Sequence, residues 1–324
     1  MSCEPEKRAL FCPARYAAID IGTVTCRMLV ADVDAQGALA ELDREYAITN
    51  LGEGVDATGM LKPEAIDRVI ETVGRYCHVR DEFARTDHRD IKTIAVATSA
   101  SRDAQNAVDF VSALRGIGVE LTVIPGEKEA ALSFAGASCD FAGEDLMVVD
   151  IGGGSTEVVV GRAGGEPAWA HSFNIGCRRV TEKFIHSDIP TAQELDQARA
   201  WIRTGLEDKL NELRGLGISP KRLVAVAGTA TTVVAIRDKM VVYDSSKVHK
   251  AYVTREQLDE IAVRIASLPL EQRRRVAGLD PGRAPVIVAG FLIMQAVLDL
   301  AGFDGFTVSE TDILHGIILD AARK

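Results

Sequence analysis

The chain has 324 residues, with 37 basic against 47 acidic side chains and a formal net charge of −10, which argues against a nucleic-acid-binding protein. Hydrophobic residues at 47% and charged residues at 26% describe an ordinary globular chain, and its length passes the roughly 250–300 residues at which one core usually divides into two. The longest apolar runs, 284–292 and 146–151, stop well short of the ~20 residues that a membrane span needs, so the expectation is a two-domain cytoplasmic protein with no membrane partner.

In chain order, residues 1–14 mix charges with two prolines and have no continuous apolar stretch, which predicts a disordered lead-in and not a signal peptide. Strands are expected near 15–19, 27–33 and 40–48. A helix follows near 63–85, entered through Pro63 at a helix-starting position. Next come a strand at 92–98, a helix at 104–115 with Val108, Val111, Ala113 and Leu114 on one face, a strand at 119–124 and a helix at 127–139. The second half restarts with strands at 145–150, 156–161 and 167–173. Thr191 with Glu194 forms a capping box that starts a helix, and Thr254 with Gln257 forms another. A strand at 222–227, an apolar helix at 284–301 and a last helix opened by Ser309 with Asp312 complete the α/β alternation. The six cysteines and six histidines are scattered without metal-ligand spacing, so zinc, disulfide and histidine chemistry are set aside.

The chain also echoes itself. Tyr16-Ala-Ala-Ile-Asp20-Ile-Gly22 recurs as Leu146-Met-Val-Val-Asp150-Ile-Gly152, about one domain length later. Each copy runs from a strand through an Asp and a Gly turn rich in hydroxyls into a second strand. Glycines let backbone N–H groups approach phosphate oxygens, and Ser or Thr hydroxyls add donors. An Asp ending each strand is a hard oxygen ligand for a cation held with those phosphates. One such turn alone reads as a tight hairpin, but two with the same preceding Asp point to a phosphate cleft between related domains. Neither turn is a dinucleotide-binding or P-loop motif.

A third segment, Ala97-Thr98-Ser99-Ala100-Ser101-Arg102, brings a guanidinium to a helix start, where it suits phosphate. A fourth, Pro125-Gly126-Glu127-Lys128-Glu129, lies between the two expected domains, where a carboxylate can orient a water in the cleft. Together these segments resemble the exopolyphosphatase/guanosine pentaphosphate phosphatase family of the actin-like superfamily, in its short two-domain form. Leu51-Gly52-Glu53-Gly54-Val55-Asp56, Asn174-Ile175-Gly176-Cys177 and Ala227-Gly228-Thr229-Ala230-Thr231 extend the likeness over nearly the whole chain.

The resemblance implies an α/β fold of two actin-like, ribonuclease H-like domains with a cleft between them. The first covers 15–134, with the helix from about 309–324 packing back on it, and the second covers 135–308. It implies Glu129 as catalytic base, with Glu127 as the lesser candidate. Gly22, Thr23, Thr25, Arg102, Gly153, Gly154, Ser155 and Thr156 would bind phosphate, and Asp20, Asp150 and Glu157 would place Mg²⁺ or another divalent cation. The expected activity is release of terminal phosphate from inorganic polyphosphate. Hydrolysis of the 5′ phosphate of guanosine pentaphosphate or a nucleoside triphosphate, and polyphosphate or alarmone sensing without turnover, stand as alternatives. The family admits a homodimer, which no residue here specifies.

Two departures from the family pattern stand out. Val24 occupies a place that is usually Asn, and Asp312-Ile313-Leu314-His315-Gly316 replaces a Gly-Leu-Arg-x-Gly run. Arg178 and Arg179 follow the Asn174–Cys177 turn and are expected to contact phosphates beyond the terminal one. Arg273, Arg274 and Arg275 are expected to form a solvated helix face.

Overall fold

The structure is a computed structural model that describes residues 11–323. Two sheets form its frame. The first contains β1 (Ala14–Ile21), β2 (Thr25–Val33), β3 (Leu39–Ile48), β4 (Ile91–Ala97) and β5 (Leu121–Val123), in the order β3-β2-β1-β4-β5. The second contains β6 (Asp145–Ile151), β7 (Thr156–Arg162), β8 (Pro167–Phe173), β9 (Arg222–Val226), β10 (Tyr252–Thr254) and β11 (Gly305–Val308), in the order β10-β11-β9-β6-β7-β8. With the edge strand β10 set aside, the two orders are the same. In each sheet the first three strands are an antiparallel meander, and the first strand then pairs in parallel with the fourth. The sequence echo is therefore an echo of topology.

β1 and β6 are central and covered on both faces, which is why they read as near-continuous apolar runs without alternation. On one side of the first sheet Val69, Val73 and Tyr76 of the helix Pro63–Asp87 pack against Ile19, Met28 and Val30. On the other side Ile317 and Ile318 of the helix Ile313–Ala322 pack against Tyr16, Ala18 and Leu29. The helix Gly126–Ala137 lies on the second sheet, with Ala130 and Phe134 against Val148 and Val159. These two helices also cross each other closely. A Cβ on Gly136 would stand 1.7 Å from the Asp312 carbonyl oxygen, and one on Gly316 would stand 1.9 Å from that of Leu132. The link between the two sheets is thus a glycine-lined crossing that admits no side chain at either position.

Several elements differ from the sequence reading. The helix expected at 104–115 is two helices, Ser99–Asp103 and Ala107–Gly116. The apolar helix starts at Ile287, not at 284. The last helix is capped by Asp312 with His315, not by Ser309, because the Asp312 side chain accepts from the Leu314 N–H. The helices Cys177–Phe184 and Ala227–Arg237 and the short strands β10 and β11 had no clear signal. Ala227–Arg237 is rich in Thr, Val and Ile, which favour strands by propensity, but its burial between sheet and helices decides otherwise. Of the lead-in expected at 1–14, residues 1–10 lie outside the described residues. Phe11 pairs with Arg323, and the Cys12 N–H donates to the Ala322 carbonyl at 2.7 Å, so that end of the segment is ordered. Among the described residues no helix is long and apolar enough to cross a membrane.

Candidate active site

The two Asp-Gly turns face each other across a cleft of about 600 Å³. They have the same backbone. The Gly22 N–H donates to the Thr25 carbonyl at 2.8 Å, and the Gly152 N–H donates to the Ser155 carbonyl at 3.0 Å. They also touch: a Cβ on Gly153 would lie 2.6 Å from Val24 Cγ2, and one on Gly154 would lie 2.9 Å from Thr23 Oγ1. Both positions must be Gly for the loops to meet. Val24 is buried and belongs to the apolar core of the second half. The departure at Val24 is therefore an apolar contact between the two halves, made by a residue that also lines the cleft.

Asp20 and Asp150 hold equivalent positions one residue before the end of β1 and β6. Each faces a charged residue across its hairpin, Arg27 for Asp20 and Glu157 for Asp150. Arg27 donates to Asp20 Oδ2 at 2.5 Å and also pairs with Asp312. Burial opposes its charge, but Asp312, Asp20 and Asp150 outweigh that effect and hold the guanidinium more firmly protonated than usual. Asp312 is pushed up by burial and pulled down further by Arg27, His315 and Arg44, so it stays well below the ordinary carboxylate range. Asp20 goes the other way, because desolvation outweighs Arg27 and raises it.

Glu129 stands in the first turn of the helix Gly126–Ala137 and lines the cleft. Desolvation pushes it up to about 7 against the opposing pull of Arg102, whose Nη1 donates to Glu129 Oε2 at 2.5 Å and to the Ile124 carbonyl at 3.0 Å. Ser133, one helical turn further on, shares that face, and its hydroxyl donates to Asp150 Oδ2 at 2.8 Å. Burial raises Asp150 to about 6, with Arg27 and Ser133 pulling the other way. One helix face therefore places both the Glu129 carboxylate in the cleft and the hydroxyl that orients the second loop's Asp.

The cleft brings together Asp20, Gly22, Thr23, Thr25, Gly153, Gly154, Ser155, Asp150 and Glu129. Other expected site residues stand back from it. Thr156 is turned away, its hydroxyl donating to the Ile175 carbonyl at 2.5 Å. Glu157 lies behind the lining, is 1% exposed and accepts from the Ser172 hydroxyl at 2.6 Å. Burial first, then Glu129 and Asp150, raise it well above its ordinary value. Arg102 reaches the site through Glu129. Arg178 and Arg179 do not line the cleft; they bind the back of the loops, which overturns their expected contact with an extended phosphate chain. Arg273 is buried and donates to the Asp188, Leu268 and Ala284 carbonyls, so only Arg274 and Arg275 of that run are solvated.

The sequence reading missed four contributors, Arg27, Ser133, Asp312 and Arg283. Arg283 is 7% exposed, lines the cleft and donates only to the Tyr46 hydroxyl at 3.1 Å, with no carboxylate partner among the described residues. A Cβ on Gly228 would fall 1.9 Å from its Nη1, so Gly228 is the seat for this guanidinium. For Arg27 a signal existed, since it is the residue opposite Asp20 in the expected hairpin. Arg283, in a Pro-Gly turn, had none.

Among the described residues no three His, Cys, Asp or Glu side chains converge tightly enough to cage an ion. A magnesium site does not need such a cage, because Mg²⁺ is commonly bound by one or two carboxylates with water and substrate phosphate. Asp20 Oδ1 is buried without a hydrogen-bond partner, the kind of orphan oxygen such an ion would satisfy.

The model of the Ppx/GppA phosphatase family matches residues 29–324. Exopolyphosphatase 2 of Mycobacterium tuberculosis is 40% identical over 95% of this chain and 98% of its own length. A solved Ppx/GppA family member from Aquifex aeolicus is 30% identical with a TM-score of 0.76, over 95% of this chain and 97% of that one. A solved exopolyphosphatase-like protein is 31% identical with a TM-score of 0.86, over 98% of both chains. With the strand order repeated in both halves, these likenesses give an α/β architecture of two related sheets shared with Ppx/GppA family proteins. A cleft built on twin Gly turns, with a buried carboxylate between them and matches over nearly the whole length, places this chain in the Ppx/GppA phosphatase family.

Proposed function

We propose that the protein is an exopolyphosphatase that hydrolyses the terminal phosphoanhydride bond of inorganic polyphosphate. The observation that carries this reading is Glu129, a buried carboxylate raised to about 7, set in one cleft with two hydroxyl-bearing Gly loops. A base with that value takes a proton from water effectively near neutral pH. Glu129 accepts a proton from a water molecule while the water oxygen bonds to the terminal phosphorus. The bond from that phosphorus to the bridging oxygen breaks, and the shortened chain leaves as an anion. The N–H groups and hydroxyls of the 22–25 and 152–155 turns are the donors for the phosphoryl oxygens, and Arg27 and Arg283 supply charge along the cleft. Asp20 and Asp150 would hold Mg²⁺, which when bound neutralises phosphate charge and aligns the chain.

The cleft lining holds more acids than bases, so a polyanion there depends on the cation, the loop N–H groups and the arginines that face it. Arg283 in particular has no carboxylate partner among the described residues and is free to accept an anion. The reading sets the enzyme in the cytoplasm, in line with the free cysteines at 12, 26, 77, 139 and 177. It has no nucleic-acid or membrane partner, on the ground of the net charge of −10 and the absence of long apolar runs. The homodimer is open to a sedimentation measurement.

Hydrolysis of guanosine pentaphosphate or a nucleoside triphosphate at the same site has its own support. Met240, Val241, Leu279 and Pro281 line part of the cleft, and Val241 is 91% exposed, an apolar rim suited to a base but not to a bare phosphate chain. Phosphate release from polyphosphate, tripolyphosphate and guanosine pentaphosphate, with and without Mg²⁺, tests both. Preference for polyphosphate supports the proposal, and strong preference for the nucleotide displaces it in favour of the second reading.

A further inference from the structure

Two segments with no part in the chemistry, 50–56 in the first half and the helix Cys177–Phe184 in the second, meet behind the phosphate loops. Arg178 donates to Asn50 Oδ1 and, at 3.0 Å, to Glu182 Oε1, and Glu182 Oε1 also accepts from the Gly54 N–H at 3.2 Å. Arg179 reaches further. Its Nε donates to the Gly154 carbonyl at 2.9 Å, its Nη1 pairs with Asp56, and its Nη2 pairs with Asp103 at 2.5 Å. One planar fork thus joins the second phosphate loop, the 50–56 loop and the end of the short helix that carries Arg102. Next along the chain from Asp103, Arg102 holds Glu129.

We propose that Arg179 is a positioning residue that sets the spacing between the Gly153–Gly154 turn and the Arg102–Glu129 pair. The inference rests on the proposed hydrolysis and explains why two arginines beside the cleft point away from it. Only Arg supplies three coplanar donors at these angles; a Lys ammonium in the same place cannot reach the Gly154 carbonyl and both carboxylates together. Ion pairs with carboxylates this exposed, 30% for Asp56 and 35% for Asp103, add little stability. A displacement of ~1 Å in a reacting group can nevertheless cost ~10²-fold in rate. Arg179 should therefore matter more to turnover than to folding.

The test combines steady-state phosphate release with amide hydrogen exchange of the peptide spanning 152–155, measured on the full chain without substrate. R179A should lower kcat by ~10–100-fold, change KM by less than ~3-fold and accelerate exchange in that peptide. R179K should recover little. D103N should act in the same direction, and the R179A/D103N double variant should be scarcely worse than R179A, as expected for one linkage. Should R179A not fold, D56N and D103N, which each remove one charge, carry the same test. Wild-type kcat with unchanged exchange, or losses that multiply in the double variant, would overturn the proposal. If the wild-type protein releases no phosphate the hydrolysis itself fails, and the exchange measurement still decides whether Arg179 fastens the loop.

Discussion

Gly176 offers a direct measure of how tightly the second phosphate loop is held. Its backbone, at φ −134° and ψ 161°, is extended and open to any residue, so an Ala there meets no conformational penalty. The obstacle is space. A Cβ would stand 2.3 Å from the Gly153 carbonyl oxygen, 2.4 Å from the Gly153 carbonyl carbon and 2.5 Å from that of Gly154, and ordinary contact begins near 3.4 Å. The loop must therefore move by roughly 1 Å, a displacement that can cost ~10²-fold in turnover. Overpacking of this kind costs about 1–3 kcal/mol of stability. Gly176→Ala should accordingly lower kcat/KM by ~10²-fold in a phosphate-release assay, with a moderate fall in Tm. Gly74→Ala, on a helix where a Cβ meets nothing within 4 Å, is the control. It should gain about 0.5–1 kcal/mol and leave turnover unchanged. If Gly176→Ala matches wild type in both rate and Tm, the loop is not fixed as described and the argument fails.

Other consequences follow from the same geometry. Glu129 at about 7 and Asp150 at about 6, both raised by burial, bind protons more tightly in the folded chain than in the unfolded one. Their stabilising effect is complete below the unfolded carboxylate values and is lost as pH rises through 6 and 7. The metal-free protein should lose thermal stability from pH 5 to pH 8, and Glu129→Gln should flatten that fall by up to about 3 kcal/mol; an identical slope in the variant would exclude Glu129 as the source. Val24→Asn should lower stability by about 1–3 kcal/mol without raising kcat, since its amide enters an apolar contact. A variant of normal stability with improved turnover would mean that position 24 faces the substrate. Chelation of divalent ions should abolish phosphate release, Mg²⁺ should restore it, and Asp20→Asn should raise the Mg²⁺ concentration needed for half-maximal rate. Full activity in chelator would remove the metal from the account.

Much of this site was legible because Asp20-Ile-Gly22 and Asp150-Ile-Gly152 carry their geometry locally. An apolar run ended by Asp and Gly specifies a strand and its turn, and the repetition specifies the partner. What escaped depends on contacts distant in sequence. Arg27 and Glu157 hold equivalent hairpin positions with opposite charge, so the echo hid Arg27. Arg178 and Arg179 follow a recognisable turn, but only the packed structure turns them onto Asn50, Asp56 and Asp103. The Asp312 cap resembled an N3 position after Ser309 because both residues suit a helix start. Arg27, which draws Asp312 into the cleft, comes from the other end of the chain.

The central claim is that Glu129 removes a proton from the water that attacks a terminal phosphoryl group. Phosphate release from inorganic polyphosphate in Mg²⁺, compared between wild type and Glu129→Gln, tests it most directly. The variant keeps the shape of the side chain and its place beside Arg102 while losing the ability to take a proton. The account predicts rapid release by wild type and a kcat lower by ~10²–10⁴-fold in the variant, with a far smaller change in KM. Near-normal turnover by Glu129→Gln, or tight polyphosphate binding by wild type without release, would contradict it.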